Sequence, residues 1–275
     1  MVSAARDFTP QVRHPLTYVT SAARPAPPAG PRALSIYSGS HSLTVLGRYQ
    51  RVVVQPTHYR ADAVRWLQAR GVQVLAHLRL GAEDPAAEAR LPGMPDWPLR
   101  PVDVRDPEWR ARIEAQILGE KTIFNGFYLD HVDLAEDPVQ VRAMLKLIRQ
   151  VRQWAGPCYL LTNQGFRLLP RLGGCVNGVL INGLSTTWED GYRVLDPAEL
   201  EVTAARVAQA RRLHLDAFGL DYAITTRARR FALRRAEQLG VPTFVSNREL
   251  SLPGGLLPRM ALPERQSAPA QLSTA

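Results

Sequence analysis

Cysteine is scarce in this chain. Cys158 and Cys175 alone cannot build the disulfide framework of a small stapled domain, and no CxxC or Cys/His spacing offers a zinc site. The two thiols fall at the starts of two strands expected to be neighbours. A disulfide is geometrically conceivable there, and two buried thiols are the simpler reading. Long apolar runs are missing too: nothing approaches the ~18 residues that cross a bilayer, so no membrane is expected. The first 31 residues lack the apolar centre of a secretion signal. As written, the chain is expected in the cytoplasm; a start site elsewhere would make it secreted or periplasmic.

Two further absences narrow the function. The turn after the first strand candidate reads SGSHS (38–42), not the GxGxxG of a dinucleotide-binding sheet. Net charge is +9 and the pI about 10.1, with most of the excess in arginine. Those arginines are spread over stretches that read as helices, such as Arg65 and Arg70, Arg149 and Arg152, and Arg227 to Arg235. No cluster mixes them with aromatics in the way that stacks bases, so nucleic acid is not the favoured partner. A basic solvated exterior accounts for the charge.

What is present is a 275-residue chain that is 45% apolar, enough for a substantial core. Residues 1–32 and 263–275, rich in Pro, Ala and polar residues, read as a mobile leader and tail. Between them, short apolar runs alternate with helical patterns. Strand candidates are Ala33–Tyr37, Arg51–Gln55, Val72–Leu78, Gly126–Asp130, Cys158–Thr162, Val176–Ile181, a stretch within Leu215–Ile224, and Pro242–Ser246. Helix candidates are Ala61–Arg70, Pro107–Lys121, Val139–Trp154, a short Phe166–Leu172, Pro197–Leu213 and Thr226–Leu239. About eight strands alternating with helices predict one (β/α)₈ TIM-type barrel over residues 33–262, with a doubly wound open sheet as the alternative. A monomer is expected.

In such a barrel the reactive side chains stand at the C-terminal ends of the strands. That rule selects Tyr37, Gly39, Gln55, His77, Arg79, Asp130, Asp133, Asn163, Gln164, Asn182, Asp221, Tyr222, Asn247 and Arg248. Amides, carboxylates, imidazole and phenols of this kind hydrogen-bond hydroxyl-rich ligands, so a carbohydrate is the expected partner. Trp188 and Tyr192 could stack on sugar rings or pack under a loop. His77 and His131 have no third ligand at suitable spacing, so no metal is expected.

These segments resemble a known family. GFYLDHVD (126–133) is similar to the GFDGVFLDxxD segment of the family 114 glycoside hydrolases, the endo-α-1,4-polygalactosaminidase group. RVVVQP (51–56), GVQVLAHLRLGAED (71–84), LLTNQG (160–165), LDYA (220–223) and VSNREL (245–250) resemble further segments in the same order. The resemblance implies a barrel that cleaves an amino-sugar polymer with two carboxylates and neither metal nor organic cofactor. Its strand-four aspartate falls on Asp130. Its second carboxylate, a glutamate in a segment resembling VDGVVAESLFTTW, falls on Asn182 in VNGVLINGLSTTW (176–188).

That departure matters chemically. Glycoside hydrolysis ordinarily needs two carboxyl groups, roughly 5–5.5 Å apart for retention or 6.5–9.5 Å for inversion. An amide binds a ligand but does not exchange a proton. Three readings stay open. The barrel binds glycan without cleaving it. Asp133, Glu189 or Asp190 supplies the missing carboxyl. Or the substrate's own acetamido group attacks, with Asn182 orienting it. His77 and Arg79, where the family has tyrosine and serine, suit an acidic or neutral sugar better than a cationic one.

Overall fold

The structure is a computed structural model that describes residues 32–83, 99–133 and 137–255. Eight parallel strands follow one another in chain order: β1 Arg32–Tyr37, β2 Tyr49–Val54, β3 Gln73–Arg79, β4 Gly126–Asp130, β5 Tyr159–Asn163, β6 Gly178–Asn182, β7 Asp216–Tyr222 and β8 Thr243–Ser246. Each is hydrogen-bonded to the next, and β8 comes back beside β1, giving a nearly closed (β/α)₈ barrel. Among the described residues no ladder joins β8 to β1. The chain leaving β8 stitches that seam instead: Ser38 donates its N–H to Leu250 O (3.0 Å) and its hydroxyl to Glu249 O (2.5 Å), and Ser35 Oγ donates to Pro253 O (3.0 Å).

Helices α1 Ala61–Gln68, α2 Pro107–Glu120, α3 Pro138–Ala155, α4 Pro197–Arg212 and α5 Thr226–Leu239 follow β2, β3, β4, β6 and β7. Three of them start at an Asp-Pro pair. The Asp106, Asp137 and Asp196 carboxylates accept N–H groups of the first turn, and proline takes a position that needs no donor. Asp196 closes a capping box with Glu199. The helix expected at Phe166–Leu172 shrinks to a three-residue 3₁₀ turn, Leu169–Arg171. Its leucines still bury, so apolar content alone had mimicked a helix. The expected leader and tail fall outside the described residues, except Arg32, which begins β1.

The strands are buried on both faces, as a parallel sheet wrapped by helices requires. Val52, Val53 and Val54 are all within 2% of full burial, and Phe127 and Leu129 alternate with Tyr128 across the β4 wall. The N-terminal end of the barrel is filled by a polar plug. Arg51 Nε donates to Gln73 Oε1 (2.6 Å) and its guanidinium lies over the rings of Tyr159 and Phe218; Tyr159 donates to Asp216 (2.6 Å). The opposite end is open and polar.

Candidate functional site

At that end, three neighbouring strands finish in the same way. Asp130, Asn163 and Asn182 are the last residues of β4, β5 and β6, and each is followed by a residue with left-handed backbone: His131 (φ 56°), Gln164 (φ 59°) and Gly183 (φ 69°). Left-handed backbone is costly for a non-glycine residue, so its repetition marks a built corner. At His131 it turns the backbone N–H back onto Asp130 Oδ1 (2.8 Å).

Asp130 is the most heavily bonded of these side chains. Its Oδ1 also accepts from Asn163 Nδ2 (2.7 Å), and its Oδ2 lies 2.8 Å from His77 Nε2 and 3.5 Å from His131 Nδ1. Burial acts to raise its pKa. The hydrogen bond of His77, its field and that of His131 when those rings are charged, and the Asn163 amide act against burial and lower the carboxyl below its ordinary range. Asp130 is therefore a carboxylate throughout the neutral range. On the far side of the His77 ring, Gln55 Nε2 lies 2.6 Å from Nδ1.

These residues line a cavity of about 770 Å³, together with Tyr37, Tyr128, Gln164, Asn182, Trp188 and Tyr222. Burial pushes the Tyr222 hydroxyl upward, opposed by its hydrogen bond with Asn182. One wall is a small hairpin, Thr186–Thr187 paired with Arg193–Val194, that carries Trp188 and Glu189 to the rim. Trp188 meets Tyr222 edge-on (6.4 Å between centroids), and the Arg248 guanidinium lies 4.1 Å from the centre of its ring. Asn163 Oδ1 is buried and has no hydrogen-bond partner among the described residues.

Five of the strand-end residues selected from the sequence stand elsewhere, the first being Gly39, which does not line the cavity. Asp221 is fully buried behind the wall, where Oδ1 accepts the N–H groups of Ser185 (2.6 Å) and Thr186 (2.8 Å) and roots the hairpin. Burial raises its pKa to about 6 against those hydrogen bonds. Asp133 is exposed and accepts from Gly165 N (2.7 Å), tying the β4 loop to the β5 loop. Asn247 folds back on Ser251 (2.8 Å). Arg79 is half-buried and does not line the cavity. Conversely, Arg193, Glu199, Arg206 and Glu249 line it without having been selected. Glu199 is engaged twice by Arg193 (2.6 and 2.7 Å), which leaves Glu189 and Glu249 as the lining carboxylates without an ion pair among the described residues. No group of three or more His, Cys, Asp or Glu among the described residues is placed to hold a metal ion, and none of the described helices is long and apolar enough to cross a membrane.

No family model and no curated protein matches the chain. Solved structures do. The glycoside hydrolase domain of PelA from Pseudomonas aeruginosa superposes with a TM-score of 0.72 at 23% identity, covering 81% of this chain and 97% of that one. Aspergillus fumigatus Ega3, in complex with galactosamine, gives 0.61 at 11% identity over 79% and 91%. TtGalA, an alpha-galactosidase from Thermus thermophilus bound to p-nitrophenyl alpha-D-galactopyranoside, gives 0.52 at 15% over 83% and 59%. The chain thus has the (β/α)₈ barrel found in glycoside hydrolase domains.

Proposed function

We propose that this chain is a glycoside hydrolase-like barrel of the polygalactosaminidase type, taking an amino-sugar polysaccharide into the mouth where Asp130 stands. The observation that carries the reading is Asp130 itself: an ionised, nearly buried carboxylate on a strand end, aimed into a cavity of about 770 Å³ walled by aromatic rings and amides. A carboxylate held in that state stabilises positive charge developing at an anomeric carbon, or attacks it; it does not donate a proton. Asn163 Oδ1, without a donor among the described residues, is suited to accept from a sugar hydroxyl. Trp188, half-exposed at the rim, provides an apolar surface against which a sugar ring rests.

Asn182 favours a second reading, a barrel that binds glycan without cutting it. Cleavage requires an acid partner, and Glu189 and Glu249 are the lining carboxyls outside any ion pair among the described residues. Release of reducing ends from acetylated and deacetylated galactosamine and glucosamine polymers, by the wild type, Asp130→Asn and Asn182→Glu, separates the readings. Cleavage by the wild type that Asp130→Asn abolishes supports the enzyme. Cleavage gained only in Asn182→Glu supports the binder. Activity that ignores Asp130 rejects both.

A further inference from the structure

We propose that Gln55 is a positioning residue that acts through His77 to fix the charge of the Asp130 site. Gln55 follows the last residue of β2, His77 lies in β3 and Asp130 ends β4, so three adjacent strands bring the side chains into one line across the mouth. Gln55 Nε2 is 2.6 Å from His77 Nδ1, and His77 Nε2 is 2.8 Å from Asp130 Oδ2.

The donors and acceptors then fix one another. An ionised carboxylate only accepts, so His77 Nε2 carries a hydrogen. An amide nitrogen only donates, so His77 Nδ1 presents its lone pair. The ring is the neutral Nε2–H tautomer. A neutral ring keeps its hydrogen bond to Asp130 while giving up its Coulomb attraction. The Asn163 amide and the His131 N–H still hold the carboxyl ionised. The other titratable groups around the pair are the Tyr128 ring, 5.5 Å from that of His77, and the His131 imidazole, with Tyr222 facing Asp130 from β7.

Two consequences follow. With both ring nitrogens occupied, His77 is neither a general base nor a free metal ligand. The Asp130–His77 pair also carries a full negative charge rather than none, which suits a ligand or transition state bearing positive charge. This second consequence rests on the proposed function; the tautomer does not.

Nitrogen-15 histidine labelling of the full chain reads the tautomer directly, with His77→Gln identifying the His77 signals. In the wild type at pH 7.5 we expect Nε2 protonated and Nδ1 unprotonated. In Gln55→Glu a carboxylate replaces the amide donor, so the lone pair on Nδ1 loses its partner and Nδ1 should carry a hydrogen in that variant. A wild-type ring protonated on Nδ1, alone or together with Nε2, overturns the proposal without recourse to any variant. So does a Gln55→Glu protein, folded by circular dichroism, whose His77 Nδ1 stays unprotonated as in the wild type. Glycan affinity measured on the same two proteins keeps the questions apart: absence of binding in both counts against the functional reading and leaves the tautomer result standing.

Discussion

His77 and Asp130 lie 2.8 Å apart with only 8% and 15% of their side chains exposed, and neither has water enough around it to replace the other. Removing the imidazole strands a nearly buried carboxylate. His77→Leu should cost roughly 2–4 kcal/mol at pH 7, and adding Asp130→Asn should recover part of that, as read from urea midpoints. The Asp130 pKa is depressed in the folded state, so its contribution is complete above the unfolded value of about 3.9 and is lost as pH falls below it. Acid unfolding of Asp130→Asn should accordingly be shallower than that of the wild type.

Asp221 predicts the opposite slope. Its folded pKa of about 6 lies above the unfolded value, so the folded state binds the extra proton and stability falls as pH climbs from about 4 through 6. Asp221→Asn keeps an oxygen for the Ser185 and Thr186 N–H groups while removing the charge. It should be more stable than the wild type at pH 8, by up to about 3 kcal/mol, with almost no gain at about pH 3, below both pKa values. Thermal melts at the two pH values decide it.

Gly81 is packed so closely that a Cβ there would overlap the carbonyl oxygen of His131, the residue next to Asp130. Gly81→Ala must move backbone on one side or the other. We expect a loss of about 1–3 kcal/mol in stability, with weakened ligand binding even in the surviving fold.

Trp188 is half-exposed, edge-on to Tyr222, with Arg248 over one of its faces. Trp188→Ala should lower glycan affinity about tenfold, in line with ~1.4 kcal/mol for a lost aromatic contact. Circular dichroism should change little, because the ring is only partly buried and packs on the outside of the core rather than inside it.

The barrel was legible because its signals are local: β-branched runs such as Val52–Val54, Asp-Pro helix starts and a helix-ending Gly240. The rim was legible because strand ends converge in this fold. Which way each side chain points was not. Asp221 and Tyr222 are adjacent, and a strand turns only one of two neighbours inward; Tyr222 faces the cavity and Asp221 the layer behind it. Arg193 and Glu199 come from a hairpin and a helix start, and Arg206 from within that helix, so a rule about strand ends passes over them. The left-handed corners were half visible. Asn182-Gly183 carries a glycine that advertises the turn, whereas His131 and Gln164 adopt the same backbone with no such mark.

Calorimetric titration of defined galactosamine oligomers into the wild type and Asp130→Asn bears most directly on the account. Saturable one-site binding that weakens at least tenfold on losing the Asp130 charge is the predicted result. Equal affinity in the two proteins, or no heat from any oligomer with the wild type, would contradict it.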